Sequence, residues 1–292
     1  MKRNKKMTGF ICSDEGVAGV VVAVLLLGLI VSAVGMVQGI FVPQWMEEKE
    51  AEHMEQVSNQ FSQLKFAIDT QSALEEPNCP ITTSITLGSK ELPFLVSSRS
   101  YGSLKILPED FRIIINILEV QDAHSYVKPY IDTLGAIEYS SSNAYYIDQS
   151  YVLENGALIL SQKSGEIMSA GPALSIVNEK DLSFNLVKLN VIGEKTSMSG
   201  YGTYPIRTRY SDTNYFTYCA VKNITMYTSH GAAWNKTFDD TLSDLDFDYY
   251  IHDIEEGVGI IISFDDDPTT TADNCPSLFL KVTEIDVELI SR

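Results

Sequence analysis

The chain has 292 residues, 21 basic against 39 acidic, a formal net charge of −18 and an apolar fraction of 45%. That length holds one large or two modest domains, and so acidic a chain repels nucleic acid, which argues against a nucleic-acid-binding role. The charge is unevenly placed: Lys2, Arg3, Lys5 and Lys6 precede an uncharged run, and 17 basic and 37 acidic residues follow it, a net of −20.

The uncharged run covers residues 16–46, and within it residues 17–42 are almost wholly apolar. As a helix, 26 residues extend about 39 Å, enough to cross a hydrocarbon core of about 30 Å with some tilt. Sixteen of the 26 are Val, Leu, Ile or Phe, which favours insertion by roughly 5–10 kcal/mol before smaller and polar residues are subtracted. The basic flank sets the N-terminus inside and residues 47–292 outside. Gly28, Ser32, Gly35 and Gly39 share one face, and Gly35–Gly39 reads G-x-x-x-G, a pattern that lets two helix backbones approach closely. The run is too long for the core of a secretory signal. A plain signal anchor and a leader removed ahead of the helix are the two remaining readings.

Pro43 is expected to kink or interrupt the helix, and Trp45 stands where an interfacial aromatic belongs. Beyond it Met54, Val57, Phe61, Leu64 and Ile68 repeat at three-four spacing, an amphipathic stripe suited to lying against a β domain. Glu47, Glu48, Glu50, Glu52 and Glu55 suit the first turns of a helix restarting after Pro43. The segment ends near Leu74, before Pro77.

From Ile81 onward short β-rich runs alternate with turn residues. Strands are expected at residues 81–87, 111–120, 157–161, 166–168, 182–192, 206–210, 215–227, 259–264 and 278–290. Glu154-Asn155-Gly156 carries the Asn-Gly signal of a tight hairpin. Ser229 is positioned to cap a short helix bearing Trp234 and Phe238 one turn apart. The fold class is α+β: a long N-terminal helix with a stalk, then an antiparallel β-rich, sandwich-like head. The divisions are a basic leader at 1–14, the helix and stalk at 15–76 and the head at 77–292.

The candidate sites are few. Asn223-Ile224-Thr225 and Asn235-Lys236-Thr237 are glycosylation acceptors by rule. Cys79, Cys219 and Cys275 leave an odd number outside: Cys79–Cys275 or Cys219–Cys275 could form a disulfide, or all three stay as buried thiols. Asp265, Asp266 and Asp267 make an acidic loop that is a weak candidate for a hard cation. Asp244-Leu245-Asp246-Phe247-Asp248 mimics a calcium loop, but Tyr249 replaces the required Gly, so a strand with an acidic outer face is the better reading. His53, His124, His230 and His252 are scattered, and no nucleophile elbow or phosphate loop occurs. No enzymatic activity and no cofactor are expected.

The short basic leader, then Ser13-Asp14-Glu15-Gly16-Val17-Ala18-Gly19-Val20 and a Val/Leu-rich helix, resembles the N-terminus of archaeal type IV pilin-like and archaellin-like cell-surface proteins. The stalk at 41–45, 52–54 and 63–65 is similar to theirs, and the Trp-bearing helix after a strand looks loosely alike. The Ser-Pro common early in such helices is replaced by Ala18-Gly19. The resemblance implies a prepilin-type peptidase cutting within residues 12–16, near Ser13, Asp14, Glu15 and Gly16. It further implies a helix held in the membrane or in a filament core with like subunits or related pilins, and a role in filament assembly and adhesion. The alternative is a single-pass anchored ectodomain that binds a partner without polymerising.

Overall fold

A computed structural model describes residues 14–89, 98–121, 124–245, 248–254, 258–264 and 275–290. Helix α1 (Asp14–Met36) runs through a π-helical turn at Val37–Phe41 into α2 (Val42–Leu74) without a break. The expected interruption at Pro43 does not occur. Pro43 lacks an N–H, and its ring crowds the carbonyl four residues back. The π turn absorbs this: the Val42 N–H reaches Val37 O, five residues back, so the ladder widens just where proline would clash with it. The acidic residues at 47–55 therefore lie mid-helix rather than at a new N-terminus. The helix ends where Glu75 turns left-handed (φ 54°) and returns its N–H to Gln71 O.

Among the described residues, sixteen strands and one short helix follow. They are β1 (Ile81–Thr86), β2 (Tyr101–Leu107), β3 (Arg112–Gln121), β4 (His124–Thr133), β5 (Ala136–Ser142), β6 (Gln149–Glu154), β7 (Ala157–Gln162), β8 (Gly165–Ala170) and β9 (Leu174–Val177). Then come β10 (Asp181–Val191), β11 (Ser197–Gly200), β12 (Thr203–Tyr218), β13 (Val221–Tyr227), α3 (Gly231–Leu242), β14 (Tyr250–Asp253), β15 (Ile260–Ser263) and β16 (Ser277–Leu289). Three sheets result, ordered β1-β12-β16-β10-β9, β11-β2-β5-β6-β7-β8 and β14-β15-β13-β3-β4. Pairing is antiparallel except for β10 with β16, which run parallel in register from Asp181↔Ser277 to Val191↔Val287.

The first sheet is shared between two cores. In β10, Leu182, Phe184 and Leu186 point into one core, while Val187 and Leu189, of opposite parity, point into the other. Its neighbour β16 switches at the same level, from Leu278, Leu280 and Val282 to Ile285, Val287 and Leu289. Successive side chains alternate faces, so each strand buries one face in its first half and the opposite face in its second. The first core closes against the third sheet and α3 through Ile113, Ile115, Ile224, Ile262 and Trp234. The second closes against α2, whose Met54, Val57, Phe61, Leu64 and Ile68 are all at most 2% exposed. The stripe thus lies on the chain's own β domain.

Several details depart from expectation. The 215–227 run is two strands, split at Cys219 and Ala220, and β12 is a single 16-residue strand with a bulge between Tyr210 and Asp212. Helix α3 starts behind His230 with no side-chain cap, so Ser229 does not serve that role. Asp244 and Leu245 lie in the turn after α3, where Leu245 N–H bonds Leu242 O, rather than in a strand. The 154–157 hairpin is as expected: Asn155 (φ 47°) and Gly156 (φ 69°) are both left-handed, as a type I′ turn requires.

Candidate membrane and assembly interface

From Ala18 to Met36 every residue of the helix is exposed, as are Gly39, Ile40 and Phe41. Among the described residues, it is the one helix long and apolar enough to cross a membrane. A cylinder about 10 Å wide and about 36 Å long presents roughly 1,100 Å², well beyond the few hundred Å² of contiguous apolar surface that soluble monomers expose. At ~25 cal/mol/Å², hydrating it costs on the order of 20–30 kcal/mol, more than a whole domain's typical stability of about 5–15 kcal/mol. The segment therefore needs lipid or protein around it. Its one hydroxyl suits that setting, since Ser32 Oγ donates to Gly28 O at 2.8 Å within the helix. Phe41 and Trp45 stack obliquely 5.8 Å apart at the segment's end, where an aromatic pair belongs at a lipid–water boundary. Charged residues resume at once with Glu47, Glu48 and Lys49.

The helix changes character within one turn. Val42, Met46 and Glu50, spaced by four, are at most 2% exposed. Glu50 is the clamp. Its carboxylate accepts the backbone N–H groups of Ala144, Tyr145 and Tyr146 at 3.0, 2.8 and 2.7 Å. The β5–β6 loop holds those donors in place: Asp148 Oδ1 accepts Asn143 N–H at 2.7 Å, and Asn143 Nδ2 donates to Ile147 O at 2.9 Å. Charge-assisted bonds of this kind are about twice as strong as neutral ones. Farther along, Gln71 Nε2 donates to both Cys79 O and Thr208 O, and Ser72 Oγ meets Thr283 Oγ1. His53 is held next to Thr86 O, and burial pushes its imidazole below the usual range.

Of the sequence-derived candidates, the glycine stripe is the one the geometry leaves open: a Cβ built on Gly28, Gly35 or Gly39 meets no atom within 4 Å. Ser13 lies outside the described residues; Asp14, Glu15 and Gly16 form the first turn of α1. Asn223 sits mid-strand in β13, where its Oδ1 accepts from Asn116 Nδ2 at 2.8 Å. Asn235 is half-buried on α3, and Thr237 of its acceptor triplet already donates to Ala233 O. Asp265, Asp266 and Asp267 lie outside the described residues. Cys79 and Cys219 are exposed thiols and Cys275 is buried, so the three are not all buried. Cys219 lies at the Cys275 end of the fold, where Ser277 Oγ donates to its carbonyl at 3.4 Å. The pairing set aside by distance is Cys79–Cys275. Cys79 is tied beside Thr208, whereas Tyr218 pairs with Leu278 at the far end of β12. That is about ten strand residues away, roughly 30 Å, against a Cα separation of at most about 7 Å for a disulfide.

The head also holds a polar cluster that the sequence did not announce. Glu154 is fully buried, and its Oε1 accepts from Thr228 Oγ1 at 2.8 Å and Trp234 Nε1 at 2.5 Å. Burial pushes this carboxyl above the usual range, opposed by nearby His230 and by those two hydrogen bonds. His230 Nδ1 lies 2.7 Å from Glu166 Oε1. The cluster ties α3 to the β6–β7 hairpin through Trp234. Among the described residues, no grouping of three or more His, Cys, Asp or Glu fits a metal ion. Glu50 was missed because it read as one of five acids suited to the first turns of a helix restarting after Pro43; its place four residues from both Met46 and Met54 was the available signal. Comparison with known proteins finds no matching family model, curated protein or solved structure.

Proposed function

We propose that this protein is a type IV pilin-like cell-surface subunit, anchored or assembled through its N-terminal helix. The leader sits in the cytoplasm and the acidic head outside. The observation that carries this reading is the division within one unbroken helix: its first half has no cover, and its second half is built into the core of the head. Lipid and a bundle of like helices both accept such a surface, so one helix serves first as anchor and then as filament core. The open face at Gly28, Ser32, Gly35 and Gly39 supports close packing against another helix. A prepilin-type peptidase removes the leader near Ser13–Gly16, and the head's work is assembly and adhesion rather than catalysis.

The test is the N-terminal sequence and intact mass of protein taken from its native membranes. A new N-terminus between Ser13 and Gly16, with the protein found in high-order assemblies, is the expected result. An intact leader on protein that never assembles refutes subunit function and leaves a permanent single-pass anchor. Cleavage near Gly35 refutes the anchoring helix altogether.

A further inference from the structure

Strand β1 lies at the edge of the first sheet, paired only with β12 among the described residues. Leu87 N donates to Gly202 O on the β12 side at 2.9 Å. Antiparallel strands direct the N–H and C=O of alternate residues to opposite sides, so the even-numbered residues of β1 turn theirs away from β12. Thr86 is one of these, and it is already served: its N–H donates to Gln60 Oε1 at 2.9 Å and its carbonyl lies 3.0 Å from His53 Nε2. Thr82 and Ser84 point the same way, and their backbone groups have no partner among the described residues.

These groups face a groove of about 810 Å³ between β1 and α2. Its helix wall is a row of amides, Gln56, Asn59 and Gln63, ending at Phe66, which is 72% exposed. From Glu52 to Thr70 the wall spans about 27 Å, the length of about eight extended residues. Glu52 and Glu55 stand at one end, and among the described residues no Lys or Arg lines the groove. Lys49 pairs with Glu52, while Glu55 has no ion pair among the described residues. Edge strands ordinarily carry Lys or Pro that discourage pairing. Edge strand β4 has both, Lys128 and Pro129; β1, with the sequence Ile-Thr-Thr-Ser-Ile-Thr, has neither, as is also true of the other edges β8, β9, β11 and β14.

We propose that the groove between α2 and β1 is a strand-addition site for an extended, basic peptide segment of a partner protein, which pairs with the open backbone of Thr82 and Ser84. Main-chain hydrogen bonds supply the attachment. A basic side chain lies over Glu55, and an apolar one lies on Phe66 at the other end.

The test uses the full chain in lipid nanodiscs and two fluorescein-labelled octapeptides of alternating Thr and Val. One has Lys first and Leu last, and the other is its reverse, since either strand direction can pair. The readouts are anisotropy and amide hydrogen exchange. One octapeptide is expected to bind and to slow exchange at Thr82 and Ser84. N-methylation of its alternate amides should abolish binding. Ser84→Pro removes an outward N–H that β12 does not use, so it should weaken binding tenfold or more at unchanged melting temperature. Glu55→Lys, on an exposed position, should weaken the Lys peptide and strengthen its Glu counterpart. Absence of binding by both octapeptides overturns the proposal, as does binding that ignores the Glu55 exchange or leaves the two amides unprotected. Protection that rises with protein concentration in the absence of peptide would place a second copy of the chain in the groove and overturn it as well.

Discussion

Replacing Glu50 should loosen the hold of α2 on the β5–β6 loop just beyond the exposed apolar segment. The carboxylate is fully buried and receives three backbone N–H groups within 3.0 Å. A hydrogen bond to a charged group contributes about 1.5–3 kcal/mol, and an orphaned buried donor costs about 1–3 kcal/mol. The three donors share one acceptor group and one loop, so their effects do not simply add. Glu50→Ala should therefore destabilise the full chain by about 3–5 kcal/mol. Glu50→Gln keeps the shape and one acceptor oxygen but aims an NH₂ at a remaining donor, and should cost about 1–3 kcal/mol. The assay is urea unfolding in detergent micelles combined with amide hydrogen exchange at Ala144, Tyr145 and Tyr146. Both variants should speed exchange at those three amides before global unfolding. A change below about 0.5 kcal/mol for Glu50→Ala, with the three amides still protected, would refute the clamp.

Phe61→Ala should cost about 3–5 kcal/mol in the same unfolding assay, because Phe61 is fully buried between Tyr151 and Tyr139 at ring distances of 5.9 and 6.3 Å. Glu154 gives a pH dependence of definite sign. Its folded-state pKa lies above the ordinary 4.5, so the folded state holds more protons between the two values. Stability relative to Glu154→Gln is then full below about pH 4.5 and falls as pH rises through the folded value; melting temperatures of the two proteins across pH 4–8 check it, and a difference that stays flat or grows with pH contradicts the assignment. His53 has the opposite sign, its pKa being lowered: its contribution is complete above about pH 6.5 and declines as pH falls through the folded value, so His53→Gln should flatten that acid-side loss. Gly35→Leu and Gly39→Leu should leave the melting temperature of the head unchanged, since a Cβ there meets nothing, and should weaken helix–helix cross-linking in membranes. Undiminished cross-linking would show that the stripe is not the packing face.

Much of the architecture could be read from residue patterns because local periodicity and burial agreed. The stripe from Met54 to Ile68 declared both a helix and the side it buries, and Asn155-Gly156 declared its turn. Where one strand serves two cores, the pattern blurs: the break in alternation between Leu186 and Val187, repeated between Val282 and Ile285, is a change of buried face. Strand β5 was not foreseen because its end is a run of three serines, Ser140 to Ser142, whose pairing is decided by neighbours in the sheet. Pro43 misled because its usual effect can be absorbed by a wider turn. The open apolar face needed only composition, whereas the Glu50 clamp and the Glu154–Trp234 contact join residues roughly 80–96 positions apart and depend on the completed fold.

The wider turn before Pro43 also resets angular phase. Gly28, Ser32, Gly35, Gly39, Val42, Met46 and Glu50 follow one another at intervals of three or four, so in an uninterrupted α-helix they would form a single line. The π turn is equivalent to one inserted residue, which swings everything before it by about 100° around the axis. The glycine line and the head-gripping line are thereby set about a quarter-turn apart. A neighbouring helix can then approach the glycines from the side rather than from beneath the overhanging head.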